Sequence, residues 1–237
     1  MVVIVGIYLN RSYAHIYSKI SEGNLKSPDI NQTYLIKGDM NSIKTLTYFA
    51  LGDSLTAGVG IDNYEQSYPY LLAQKIAGNN EIILKNLALP GLKSSDINGQ
   101  ITASTIVAKP DIVTLLTGVN DIHENISKTE FKKNYEQILE ALTQKTSAKI
   151  YAINIPFLGA DSLILPPYNY YFDFQTKEFN KIIKELAIKY KVSYIDLYTP
   201  TADEFKKYGP HYSKDLFHPS AVGYATWAKI IYANLDK

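Results

Sequence analysis

The chain has no cysteine, and only two methionines and one tryptophan, in 237 residues. The missing thiols exclude disulfides, thiolate zinc centres and a cysteine nucleophile. They leave the compartment open, because exported and internal proteins alike can do without cysteine. Neither sign of charge is in excess: 24 basic residues are scattered among 23 acidic ones, for a net charge of +1. A nucleic-acid footprint needs a clustered basic surplus, so no nucleic-acid partner is expected. Metal-ligand spacing is missing too. His15, His123, His211 and His218 form no HExxH or similar pattern, and neither metal nor cofactor is expected. The amino-terminal apolar run, Val2–Leu9, is too short to span a bilayer, which takes about 20 residues.

What is present suits one large α/β domain with a buried core: 46% hydrophobic and 20% charged residues, with 20 tyrosines. Two readings of Val2–Leu9 stay open. It is the tail of an anchor or signal, which implies membrane association and an extracytoplasmic or envelope location. Or it is a strand or helix packed on the domain, with a cytoplasmic location as the alternative. Residues 10–43 are mostly polar, with turn-like clusters at Ser21–Asn24 and Lys26–Asp29 and a candidate short strand at Thr33–Ile36. Residues 1–43 therefore read as an extension and 44–237 as the domain.

From residue 44 the pattern alternates. Five apolar runs suit buried parallel strands: Leu46–Leu51, Ile82–Leu87, Ile112–Leu116, Ala148–Ile153 and Val192–Leu197. Helix-period stretches lie between and after them, at Tyr68–Ala77, Asp96–Ile106, Phe131–Thr143, Phe174–Tyr190 and Ala221–Leu235. Alternation of this kind implies a parallel sheet covered on both faces.

In such sheets ligands bind beyond the carboxyl ends of the strands. Ser54 follows the first strand in the segment Gly52-Asp53-Ser54-Leu55. Pro90-Gly91 follows the second, and Gly118-Val119-Asn120-Asp121 the third. His218, in Asp215-Leu216-Phe217-His218-Pro219, comes after the fifth strand. Taken singly, each has an ordinary explanation as a turn, a cap or a structural histidine. Together they supply complementary roles at one sheet edge.

Ser54 offers a hydroxyl that needs a base. Imidazoles titrate near pH 6.5 and serve as bases near neutrality. Asp215, three residues before His218, suits the orienting acid. The Ser54 and Gly91 backbone N–H groups and the Asn120 amide suit an oxyanion hole. His123 and His211 compete for the base role, but only His218 has an acid three residues ahead of it.

These four blocks resemble those of the SGNH, or GDSL-type, esterases and lipases, in the right order from about residue 46 to the carboxyl end. The resemblance implies a three-layer αβα sandwich with a five-stranded parallel sheet in flavodoxin-like order. It also implies Ser54 as nucleophile, Asp215 and His218 as acid partner and base, and Gly91 and Asn120 as oxyanion donors. Pro90, before Gly91, departs from the expected pattern. The activity implied is hydrolysis of acyl esters through an acyl-enzyme. The substrate is then a small acyl ester: a lipid, a lysophospholipid, a short-chain ester or an acetylated sugar. Phe157–Tyr168, after the fourth strand, reads equally as a wall over an acyl chain and as a loop covering the core. A different class, a flavin-binding electron carrier, would use Ser54–Gly58 to cradle a phosphate. It leaves Asn120, Asp215 and His218 without a task.

Overall fold

The structure, a computed structural model, describes residues 2–23, 25, 33–38, 44–101, 109–205 and 209–235, without the side chains of residues 2–7 and 203. The chain opens with helix α1 (Val2–Glu22), strand β1 (Thr33–Lys37) and strand β2 (Thr45–Gly52). There follow α2 (Ser54–Ala57), α3 (Tyr68–Ala77), β3 (Glu81–Asn86), α4 (Ser94–Ile97), β4 (Ile112–Leu116) and α5 (Val119–His123). The carboxyl half holds α6 (Lys128–Lys145), β5 (Lys149–Ile153), α7 (Tyr168–Tyr190), β6 (Ser193–Ile195), α8 (Tyr198–Phe205) and α9 (Ala221–Ala233).

One sheet carries all six strands in the order β1-β3-β2-β4-β5-β6. The five strands expected from apolar runs are all there and pair in parallel. Counted among themselves, they run 2-1-3-4-5, the doubly wound order whose ligand crevice lies where the direction of winding reverses. That reversal falls between β2 and β4. The five parallel strands are joined by a sixth, at the place of the candidate short strand Thr33–Ile36. β1 adds an antiparallel edge strand, with Thr33 opposite Lys85 and Lys37 opposite Glu81. It covers the otherwise open edge of β3, where unpaired backbone groups would invite association. The 43/44 division therefore falls between two strands of a single sheet.

Local signals explain the helix boundaries. The Ser127 hydroxyl accepts from the Glu130 N–H (3.1 Å) to open α6, and the Ser220 hydroxyl accepts from the Gly223 N–H (3.3 Å) to open α9. α7 begins at Tyr168 rather than Phe174, directly behind Pro166-Pro167. Proline suits a helix start because its φ is preset and its missing N–H is not needed there. β6 is shorter than the run Val192–Leu197. Beyond Ile195 the chain turns, held by the Asn154 side chain, which accepts from the N–H groups of Leu197 (2.7 Å) and Tyr198 (2.9 Å). Of the helix expected at Asp96–Ile106, residues 94–97 are helical and residues 102–106 lie outside the described ones.

α6 packs on α7 and α3 packs on α9, giving two helical layers about the sheet. Several tyrosines belong to the core: Tyr48, Tyr68, Tyr135 and Tyr224 are fully buried. The hydroxyls of Tyr48 and Thr114 pair at 2.8 Å, as do those of Tyr68 and Thr56 at 3.0 Å. Among the described residues no helix is long and apolar enough to cross a membrane.

Phe179 on α7 is fully buried, with its ring 4.3 Å from that of Phe131 on α6. Phe179→Ala should destabilise the protein by about 3–5 kcal/mol through lost burial and a residual cavity. Urea unfolding followed by circular dichroism measures this. A loss below about 1 kcal/mol would mean the two helices do not share a close-packed seam.

Candidate active site

Ser54 sits where β2 passes into α2, at the reversal point of the sheet. Asp53 takes the capping role, its Oδ1 accepting from the Leu55 N–H at 3.0 Å, so the Ser54 side chain is left free for other work. The hydroxyl of Ser54 lies 3.0 Å from Nε2 of His218. Nδ1 of the same ring lies 2.6 Å from Oδ2 of Asp215. The other carboxylate oxygen of Asp215 accepts from the backbone N–H groups of Phe217 and His218, both at 3.0 Å, and from the Ser213 hydroxyl at 2.7 Å. The three-residue spacing works because Asp215–His218 is a turn, with Leu216 in the left-handed region at φ 62°.

Burial alone would raise the Asp215 pKa. Hydrogen bonding and charge interaction with His218, then the bonds from Ser213 and Phe217, outweigh it and hold the carboxyl below its ordinary value. A charged acid is therefore fixed against one ring nitrogen, and the other nitrogen meets the hydroxyl. Such an imidazole can take the hydroxyl proton as the oxygen attacks.

The two remaining turns are tied to each other. The Asn120 amide donates one hydrogen to the Leu92 carbonyl at 2.8 Å, which leaves its second hydrogen available. Asp121, fully buried, accepts from the Ser94 N–H at 2.9 Å and the Ser94 hydroxyl at 2.5 Å. These bonds clamp the Gly91 turn to the start of α5. Gly91 has φ 83°, a conformation L side chains rarely adopt, so conformation rather than crowding calls for glycine there. Among the described residues neither the Ser54 nor the Gly91 backbone N–H has a hydrogen-bond partner. Ser54, Gly91, Asn120 and His218 all line one cavity of about 460 Å³. Pro90 lines it too.

The rival histidines lie elsewhere or do other work. His211 stacks on Phe205 at 4.5 Å and has Nε2 3.2 Å from Glu204. His15 approaches the Ser162 carbonyl at 3.2 Å. His123 does line the cavity, packed near Phe172 (5.2 Å) and Phe217 (5.4 Å). Burial, then the neighbouring His218, pushes its pKa down to about 4, so it is a neutral wall near pH 7. Among the described residues no group of three or more His, Cys, Asp or Glu is placed to hold a metal ion.

A family comparison bears directly on this arrangement: the model of the GDSL-like lipase/acylhydrolase family matches residues 50–226, which contain every residue of the cluster. The chain belongs to that family. It is 29% identical over 206 residues to the spore germination lipase LipC of Bacillus licheniformis, covering 80% of this chain and 96% of the relative. Among solved structures, the lipase Lip_vut3 from a goat rumen metagenome superposes with a TM-score of 0.67 at 25% identity, covering 80% of this chain and 97% of that one. A lipase/acylhydrolase from Enterococcus faecalis gives a TM-score of 0.61, also at 25% identity, covering 79% and 94%.

Sequence reasoning missed two features of this GDSL-like site. The first is the contribution of Tyr17, Ile20 and Leu25 to the cavity wall. The spacing of Tyr13, Tyr17 and Ile20 on one helical face was the available signal. The second is Asp53. It is fully buried, and its Oδ2 has no partner among the described residues. Burial raises its pKa to about 7, with the Leu55 N–H opposing and the Asp121 charge adding to the rise.

That shift has a consequence for stability. Folded Asp53 holds its proton up to about pH 7, while an ordinary carboxyl at 3.8 has lost it, so the folded state binds more protons between those values. Its contribution must therefore weaken as pH rises, by about 1.4 kcal/mol per unit. Asp53→Asn keeps an acceptor for the Leu55 N–H and removes the titration. The stability of the variant relative to the wild type should climb from about pH 4 to about pH 7, then level off. Urea unfolding across that range tests it, and a difference independent of pH would show that the buried carboxyl is not protonated.

Proposed function

We propose that this protein is a serine hydrolase that cleaves carboxylic esters through an acyl-enzyme, acting on lipid, lysophospholipid or short-chain acyl esters. The observation that carries this reading is the unbroken relay from the Ser54 hydroxyl through His218 to Asp215, with separations of 3.0 and 2.6 Å. In the reaction, Ser54 Oγ bonds to the ester carbonyl carbon as its proton passes to His218 Nε2. Asp215 stabilises the imidazolium and keeps Nδ1 protonated. The carbonyl oxygen, now an oxyanion, receives hydrogen bonds from the Ser54 and Gly91 N–H groups and the Asn120 amide. A single donor of this kind is worth about 2.7–4 kcal/mol in the transition state. The tetrahedral species collapses by breaking the bond to the alcohol oxygen, which takes the proton from Nε2. Water then attacks the acyl carbon, gives a proton to Nε2, and releases the acid while Ser54 Oγ regains its hydrogen.

Membership in a lipase and acylhydrolase family supports the ester substrate. A flavin-carrier reading has no use for the relay, and no observation favours it.

Turnover of p-nitrophenyl acetate tests the proposal, with a burst of nitrophenol marking the acyl-enzyme if deacylation limits the rate. Ser54→Ala and His218→Ala should each lower kcat by several orders of magnitude, and the double variant should fall little further. Losses that multiply in the double variant would show that the two groups do not act as one unit. Asn120→Ala should lower kcat by about 10²–10³ with a smaller change in KM. A change confined to KM would remove Asn120 from the oxyanion hole.

A further inference from the structure

α1 lies ahead of the family match, yet it forms part of the cleft. Tyr17 and Ile20, together with Leu25 just beyond the helix, line the cavity that holds Ser54. Two turns earlier on the same helix, Leu9 and Tyr13 line a second cavity of about 520 Å³, whose far side is Tyr168, Tyr171 and Phe172. Leu9, Tyr13, Tyr17 and Ile20 follow the four-four-three spacing of one helical face. His123 is a wall of both cavities.

The helix is seated firmly over this path. Gly23, at its end, approaches Asp215 so closely that an added Cβ would lie 2.6 Å from the Asp215 Cβ. Farther back, the Tyr8 hydroxyl donates to the Pro166 carbonyl at 2.8 Å, and the Tyr13 and Tyr168 rings pack at 5.6 Å. Ser12 and Ile16 are buried against the domain.

The second cavity is apolar in character although tyrosines line it. The Tyr171 hydroxyl donates to the side-chain Oδ1 of Asn125 at 2.8 Å, and the Tyr13 and Tyr17 hydroxyls pair at 2.9 Å. With the Tyr13 and Tyr171 tips engaged, their rings, with Leu9, Pro167 and Phe172, give a ligand a mainly apolar surface. A sugar, whose hydroxyls need partners, is poorly served there; a hydrocarbon chain loses nothing.

We propose that α1 is the specificity-determining wall of an acyl groove that starts at Ser54, passes His123 and runs along Leu9 and Tyr13 to Tyr168. The substrate class it selects is an ester of one unbranched medium or long acyl chain. This inference rests on the hydrolase reading and assigns its acyl site to residues outside the family match.

The test is a chain-length series on the full chain: p-nitrophenyl acetate, octanoate, laurate and palmitate. For the wild type, kcat/KM should rise from acetate to laurate, with a ceiling of about fourfold for each methylene that becomes buried. Leu9→Trp puts a larger ring into the second cavity and takes up the room of about two methylenes. It should cut the laurate-to-acetate ratio of kcat/KM by about tenfold or more, as two or more methylenes are left in water. Gly23→Val, which forces α1 away from Asp215, should lower the same ratio by a different route. A wild type that favours acetate over laurate overturns the groove. So does a laurate-to-acetate ratio that Leu9→Trp leaves unchanged in a folded variant. If the wild type turns over no ester at all, the hydrolase reading itself fails and the groove with it; loss of the long-chain preference alone leaves that reading standing.

Discussion

A contact of 3.0 Å joins two side chains that lie 164 positions apart, Ser54 and His218, and the functional geometry turns on it. Neither residue sits on a strand. Ser54 is delivered by the end of β2, and His218 by a turn that leads into α9. The sheet makes the meeting possible: β2 is central, with β3 on one side and β4 on the other, so a crevice opens beyond its carboxyl end. The turn makes it precise. Three donors on one oxygen of Asp215 fix the carboxylate, and its other oxygen fixes the ring. Little rotational freedom is left to the imidazole, so the entropic cost of aligning it is met in folding rather than during the reaction.

Three buried acids surround this point, and the protein treats each differently. Asp215 is paired, and its pKa is held low although burial opposes this. Asp121 is spent on Ser94, where two hydrogen bonds soften the cost of burial without removing the upward shift. Asp53 has one backbone donor and a bare oxygen, and burial wins. Depth and hydrogen-bond partners act together: Asp53, the deepest and least partnered, is raised, and Asp215, with the most partners, is lowered. Only the paired one suits the stabilisation of an imidazolium.

Much of the fold was legible because parallel strands buried on both faces leave continuous apolar runs. Ile112–Leu116 and Tyr68–Ala77 match their expected bounds residue for residue. β1 was legible as a short strand at Thr33–Ile36, one residue short of its end, but not as part of the sheet, because an edge strand with one exposed side carries a weak pattern; Leu35 is 55% exposed. The start of α7 hid among tyrosines that face solvent, Tyr170 and Tyr171, where no apolar period shows. The loop Phe157–Tyr168 does both things its composition allows: Leu158, Leu163 and Ile164 are buried in the core, Pro167 and Tyr168 line the cavity beside α1, and residues 157–161 with Ile164 line a small pocket of their own. The relay residues were readable through their combination: each alone passes for a turn, a cap or a structural histidine, but together they fall at turns beyond one sheet edge with complementary chemistry. The supporting residues were not. Ser94, Asp121 and Leu92 are ordinary turn residues until the fold brings them together.

The sequence by itself determined the local and the periodic. It set the alternation of strands and helices, the glycine that a left-handed turn at position 91 requires, and the acid three residues ahead of a histidine. Each of these depends on residues within a few positions of one another, where chain geometry leaves few options. Tertiary structure alone decided which turns converge, which buried acid keeps its charge, and that α1 lies against the cleft. Those outcomes depend on dielectric surroundings and on contacts between segments far apart in the chain, and no short stretch of residues encodes either.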